Sequence, residues 1–263
     1  MTVTGGYAPV NGLELYWESR GEGGTPLVVV HGGFGLASMF GELLDQLGVN
    51  RRVVALELQG HGHSADVERP FSWQSFGDDI AAVIRHLGLD QVDLLGYSLG
   101  ASSCLRAAVQ HPSLFRRLVL VSIPFAREGW HPKVLQGMAG VNRSGFEMMA
   151  HTPMYAAYAA VAPDPDAFPD LMDKTGALLA VDYDWSDEVR ALRMPTLLVY
   201  ADADSQPTTH QEAFYALLGG GLRDAGWDGS GNQPNRLAIL PGLSHHDIFS
   251  APALAAVVEQ FVS

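Results

Sequence analysis

Three groups of side chains in this sequence could together perform acyl-transfer chemistry: Ser98, the acids Asp202 and Asp204, and the adjacent His245 and His246. A serine hydroxyl is a poor nucleophile until an imidazole takes its proton, and the imidazole needs a carboxylate that holds its tautomer and stabilises its charged form. Ser98 stands in Gly96-Tyr97-Ser98-Leu99-Gly100. An apolar run (Val92, Leu94, Leu95) comes before it, and Ala101, Leu105, Ala108 and Val109 follow at the spacing of a helix face. That order predicts a strand-to-helix turn tight enough to strain the serine backbone, with glycines on either side because side chains there would meet the strand and the helix. The start of the helix also directs unpaired N–H groups at the oxyanion formed when Ser98 attacks a carbonyl. The two acids follow the apolar run Thr196 to Ala201, and the two histidines follow Arg236 to Leu240. On residue type alone, either acid and either histidine would serve.

Periodicity predicts the elements that position these groups. Tyr7 to Val10 and Leu13 to Glu18 alternate around Asn11-Gly12, a preferred two-residue hairpin connection. Leu27 to Val30 is apolar throughout, as in a central parallel strand, and ends in His31-Gly32-Gly33-Phe34-Gly35. An amphipathic segment from Ser38 to Leu47 precedes a strand over Val53 to Leu58, which ends in Gly60-His61-Gly62-His63-Ser64. Phe76, Ile80, Val83, Ile84 and Leu87 mark a helix over Ser75 to Leu87, and Arg117 to Ser122 is a buried strand that Pro124 stops. Later come a helix over Pro207 to Leu218, a glycine-rich loop from Gly219 to Asn235 and a closing helix from Pro252 to Val262. This alternation predicts an α/β fold with a mostly parallel, doubly covered sheet of about eight strands. Each candidate chemical residue then lies just past a strand's C-terminal end, where such sheets place their sites.

With serine, acid and histidine in that chain order, the sequence resembles the α/β-hydrolase superfamily, in its branch of small serine esterases and lactonases with an inserted helical lid. The likeness runs from the first hairpin to the last helix. It rests on Gly96 to Gly100 for the nucleophile, His31 to Gly35 for the oxyanion loop, Gly60 to Ser64 for a G-H-G-x-S turn, Asp202 to Pro207 for the acid and Gly242 to His245 for the histidine. Glu57-Leu58-Gln59 departs from the family, which usually has an aspartate and a basic residue there. The resemblance implies the α/β-hydrolase fold, with residues 1–124 and 195–263 as core and 125–194 as cap. It implies a triad of Ser98, Asp204 and His245. Asp204 is favoured over Asp202 by the D-x-x-P pattern it makes with Pro207, and His245 over His246 because it follows Gly-x-Ser. The oxyanion hole would use the N–H of Leu99 with that of Gly33, or else of Phe34. The implied reaction is hydrolysis of a carboxylic ester or lactone without a cofactor. Carbon–carbon bond hydrolases, cofactor-free perhydrolases and a hydrolase-like binding protein are the alternatives on this fold.

From Phe125 to Met194 no buried strand is predicted, and Pro153, Pro163, Pro165 and Pro169 divide a segment rich in Met, Ala and aromatics. Lying between two strands whose ends carry the site, it reads as a mobile lid, with Met149, Met154, Tyr155 and Tyr158 expected to contact substrate. The few cations there (Arg127, Lys133, Arg143, Lys174, Arg190, Arg193) point to small to medium, largely apolar substrates. With 16 basic and 29 acidic residues the formal charge is −13, which disfavours nucleic acid, anionic lipid and strongly anionic substrates. The 47% hydrophobic content suffices for a packed core, yet no apolar run approaches the roughly 18 residues of a membrane span. The N-terminus lacks the pattern of a signal peptide. The expectation is a cytoplasmic enzyme that acts on a small molecule, with a homodimer left open. Cys104 reads as a buried structural thiol and His31 as a brace for the oxyanion loop. His61 and His63 lack a third ligand at metal spacing, so no metal is expected. The remaining histidines, His210 among them, read as surface or lid positions.

Overall fold

The N-terminal hairpin of β1 (Thr4–Val10) and β2 (Leu13–Arg20) turns at Asn11 and Gly12, with φ of 52° and 80°, in a computed structural model that describes residues 1–263. Strand and helix then alternate through β3 (Leu27–Val30), α1 (Leu43–Leu47), β4 (Val53–Leu56), α2 (Trp73–His86), β5 (Val92–Tyr97), α3 (Leu99–Gln110) and β6 (Phe115–Val121). Five short helices come next: α4 (Pro132–Ala139), α5 (Phe146–Met149), α6 (Pro153–Ala159), α7 (Phe168–Leu179) and α8 (Ser186–Ala191). The chain returns with β7 (Thr196–Ala203), α9 (Thr208–Leu217), β8 (Arg236–Ser244) and α10 (Pro252–Val262). All strands join one sheet of order β1-β2-β4-β3-β5-β6-β7-β8. β1–β2 and β2–β4 pair antiparallel, and every other pair is parallel. No helix is long and apolar enough to cross a membrane.

The apolar strands alternate between two cores because successive side chains leave opposite faces of the sheet. Val28, Val30, Val54, Leu56 and Leu94 pack with α2 and α3. Leu27, Val29, Val53, Ala55 and Leu95 pack with α1 and α10. A strand buried on both faces needs no polar alternation, which is why these runs read as continuous.

Several boundaries differ from the periodicity. The segment from Ser38 to Leu47 is broken at Gly41 (φ 55°) into a 3₁₀ turn, Ala37–Phe40, and α1. α2 begins at Trp73 because the Ser72 side chain caps it, accepting from the Ser75 amide. β8 runs on through Pro241 to Ser244, and an edge strand tolerates the proline's missing N–H.

Helices α4 to α7 leave and rejoin the core at one point, and α8 follows that point. Ala126 and Asp184 form an antiparallel bridge, the Arg127 amide donates to Tyr183 O, and the Trp185 amide donates to Phe125 O, both at 2.9 Å. His210, expected at the surface, braces this neck: its ring stacks on Phe125 at 4.2 Å and its Nε2 accepts from the Phe125 amide. Burial lowers its pKa to about 4 and keeps it neutral there.

Candidate active site

Ser98 sits between β5 and α3 with φ 52° and ψ −121°, backbone geometry that few non-glycine residues adopt. The flanking glycines are sterically required. A Cβ at Gly96 would lie 2.5 Å from Ala101 Cα, and one at Gly100 would lie 2.1 Å from His31 O. Two other non-glycine residues near the site have positive φ, Phe34 (58°) in the oxyanion loop and Ser122 (60°) beyond β6. Backbone strain therefore gathers at the strand ends.

From Ser98 a hydrogen-bonded line runs to the acid. Ser98 Oγ is 3.1 Å from His245 Nε2, and His245 Nδ1 is 2.9 Å from Asp204 Oδ1. Asp204 Oδ1 also accepts from the Ser205 amide, and Oδ2 accepts from Ser122 Oγ at 2.6 Å and the Ala201 amide at 2.9 Å. Burial pushes this carboxyl's pKa up, but the His245 partner, the Ser122 hydroxyl and the Ala201 amide outweigh it and hold it below the usual aspartate range. Nδ1 of His245 therefore donates to Asp204 and Nε2 is free to accept from Ser98. Asp202 points elsewhere: it accepts from the Gly242 and Leu243 amides and ties β7 to β8. His246 is exposed, its ring edge-on to His245 at 5.4 Å, and its side chain has no hydrogen bond to Ser98 or Asp204.

Facing Ser98, the amides of Leu99, Gly33 and Phe34 have no hydrogen-bond partner within the chain. His31 braces this loop. The Leu58 amide donates to Nε2 at 3.1 Å, so Nδ1 carries the proton and donates to Gly32 O at 2.7 Å. Burial lowers the pKa of His31 and takes that of His61 to about 3, so both remain neutral. No three His, Cys, Asp or Glu side chains come close enough to hold a metal ion. The unusual Glu57 is a buried bracket that accepts from the Ala37 amide and from both the amide and Nδ1 of His63. Gln59, in place of a basic residue, accepts from Arg69, which in turn pairs with Asp79.

These groups open into a cavity of about 290 Å³ with a largely apolar wall. Of the expected lid contacts only Met154 lines it. Tyr155 and Tyr158 turn instead to the buried Phe168, at 5.1 and 4.9 Å, and Met149 packs against the same core. Short helices that must cover one another bury their aromatics inside the lid, so the lid's own core takes these rings. Arg127, Trp130, Met138, Thr175, Leu179 and Tyr183 form the lid side of the cavity. Trp130 stands edge-on to His245 at 5.8 Å and donates through Nε1 to Tyr183 Oη.

Three contributors escaped the sequence reading. Ser122 follows an apolar run at a strand end, a signal it shares with the triad positions. Tyr97 Oη donates to His245 O at 2.5 Å while its ring lies against Phe249. A Cβ at Gly32 would come within 2.7 Å of that ring, so Tyr97 is wedged between the oxyanion loop and the histidine turn. Trp130 gave no signal, since its role depends on how the lid folds back.

Comparison with known proteins agrees with this architecture. A family model described as alpha/beta hydrolase fold matches residues 25–147. A putative esterase/lipase of Haemophilus influenzae is 31% identical over 46% of this chain and 42% of its own length. The chain thus spans less than half the length of that relative. A non-heme haloperoxidase of Rhodococcus erythropolis is 26% identical over 89% of this chain and 90% of its own. The solved structure of E-2-(acetamidomethylene)succinate hydrolase superposes with a TM-score of 0.78 at 20% identity, covering 99% of both chains. The chain has the α/β-hydrolase fold.

Proposed function

We propose that this protein hydrolyses a carboxylic ester or lactone of small to medium size through an acyl-enzyme on Ser98. The observation that carries this reading is the unbroken line from Ser98 Oγ through His245 to Asp204, beside three unpartnered amides. Ser98 Oγ attacks the carbonyl carbon while His245 Nε2 takes its proton, and Asp204 stays ionised and stabilises the imidazolium. The oxyanion accepts from the Leu99 amide and from that of Gly33 or Phe34. His245 then gives its proton to the leaving alkoxide, which departs and leaves the acyl group on Ser98. A water that loses its proton to His245 attacks the acyl carbon, and as the bond from that carbon to Ser98 Oγ breaks His245 returns the proton to Oγ, which frees the acid and restores the serine. Residues 125–194 act as the cap that excludes bulk water from these steps.

Incubation with a fluorophosphonate followed by mass spectrometry should place the label on Ser98 and abolish turnover of a 4-nitrophenyl ester. Label on another residue, or none, sinks this reading. The haloperoxidase relative favours one second reading, a perhydrolase in which hydrogen peroxide replaces water in the final attack and a peracid leaves. Peracid formed from ester and peroxide faster than acid is formed from ester alone would favour it.

A further inference from the structure

We infer that the lid side of the cavity, at Arg127 and Thr175, binds a carboxylate carried by the substrate. This rests on the ester or lactone reading of the Ser98 site and narrows its substrate class.

Among the residues lining the cavity Arg127 is the one Lys, Arg, Asp or Glu. Three other lid cations are spent elsewhere, Lys174 on Asp66, Arg143 on Asp170 and Asp173, and Arg190 on Asp187, and Lys133 and Arg193 do not line the cavity. Arg127 is held differently. Its amide is fixed in the lid neck by Tyr183 O, and its Nε donates to Leu179 O at 3.1 Å. Nη1 lies 3.4 Å from Asp182, a side chain 93% exposed whose charge water screens, and Nη2 has no partner. The guanidinium is thus oriented through Nε while most of its hydrogen-bonding capacity stays open.

Thr175 stands one turn before Leu179 on α7 and also lines the cavity. It is 1% exposed, and its Oγ1 has no hydrogen-bond partner. A helical threonine can satisfy its hydroxyl on the carbonyl one turn back, but Thr175 makes no such bond to Leu171. It therefore presents a buried hydroxyl with no partner on a residue of the cavity wall. Trp73, whose ring meets Tyr183 at 6.1 Å, brings a third unpartnered donor, Nε1, to the same wall. The Thr175 hydroxyl and Trp73 Nε1 are buried without a partner, which is costly, and all three groups can donate. A substrate carboxylate supplies acceptors for a guanidinium fork and a hydroxyl together, and the apolar surroundings strengthen the ion pair. The acidic outer surface sets bulk steering, whereas this cation acts only within the cavity.

The test compares mono-4-nitrophenyl adipate with its methyl ester, a pair that differs only in the distal charge. In the parent protein, kcat/KM for the monoanion should exceed that for the methyl ester by about tenfold or more, with the ratio falling as salt is raised. Arg127→Leu should bring the ratio to about one or below. Arg127→Lys, which keeps the charge but not the fork, should retain part of it, and Thr175→Val should lower it by less than Arg127→Leu. If Arg127→Leu fails to fold, the parent ratio, its salt dependence and Arg127→Lys decide. A parent that cleaves the methyl ester as fast as the monoanion, or a ratio that survives Arg127→Leu, overturns the inference and leaves the Ser98 reading intact. A parent that cleaves neither ester and takes no fluorophosphonate on Ser98 overturns the Ser98 reading itself.

Discussion

On the floor of the cavity Asp204 receives hydrogen bonds from His245, Ser122, Ala201 and Ser205, while elsewhere on the wall Thr175 Oγ1 of α7 and Trp73 Nε1 of α2 have no partner. The Ser98–His245–Asp204 line is satisfied before any substrate arrives, and the Leu99, Gly33 and Phe34 amides beside it stay open. Its groups sit at the ends of parallel strands, where paired backbones fix each Cα and leave little reorganisation for the reaction. The wall keeps its polar capacity for something else to fill. The hydrogen-bonded line to Asp204 is thus a saturated region, and the wall at Thr175 and Trp73 an unsaturated one.

The contrast can be broken first at the floor. Ser98→Ala or His245→Ala should lower kcat by about four to six orders of magnitude with little change in thermal unfolding, whereas His246→Ala should stay within about tenfold of the parent. The reverse pattern for the two histidines would move the base by one residue. Ser122→Ala should lower kcat by about tenfold, by taking one donor from Asp204. Steady-state kinetics check this: an unchanged kcat would show that Ser122 does not act through Asp204. On the lid, Met154→Trp should cut kcat/KM for long acyl esters severalfold relative to acetates. Met149→Trp should leave that ratio alone and register instead as lower stability, because Met149 packs inside the protein rather than on the cavity wall. Equal effects at both positions would show that the lid side of the cavity is not the one described.

The smallest effect concerns pH. His61 and His210 have folded pKa values lowered from 6.5 to about 3 and about 4, so each folds as the neutral ring. Their stabilising contribution is complete above about pH 6.5 and declines as pH falls toward 4, where the unfolded chain binds more protons. His63 has the opposite sign. Its hydrogen bond to Glu57 raises its pKa, so its contribution is complete below about 6.5 and is lost as pH rises through the raised value. Thermal unfolding followed from pH 7 to 4 should show a falling midpoint, and His210→Phe should flatten part of the slope. A midpoint that rises on acidification would mean that His63 outweighs the other two.

The same contrast explains what the sequence could tell. Ser98, Asp204 and His245 were legible because each follows an apolar run that could only be a buried strand, and strands in one parallel sheet deliver their ends to one place. Gly96 and Gly100 announced the close approach that their missing Cβ atoms permit. The choice of Asp204 over Asp202 needed the family pattern, since two acids two residues apart on a strand share a face and only the turn after β7 separates them. In the lid the sequence showed a strand-free segment divided by prolines, but which faces meet the cavity depends on how five short helices lean on one another. Tyr155 and Tyr158 therefore looked like substrate contacts and went to Phe168. Arg127 looked like one cation of six, and only the folded neck sets it at the cavity.

That neck has a consequence for how this protein could change over time. Two backbone hydrogen bonds, between Arg127 and Tyr183 and between Trp185 and Phe125, bring the ends of the inserted segment together, while Phe168, Leu171 and Met172 pack into the same core as α2 and α3. The entropy of closing such a loop grows slowly, by about 0.6 kcal/mol for each doubling of length. Changing the length of what lies between residues 127 and 183 therefore costs little closure entropy while the bridge persists, whereas exchanging Phe168 or Leu171 also costs packing against the core. A graft that keeps the neck residues around Ala126 and Asp184 together with this apolar face should leave the Ser98 site in place.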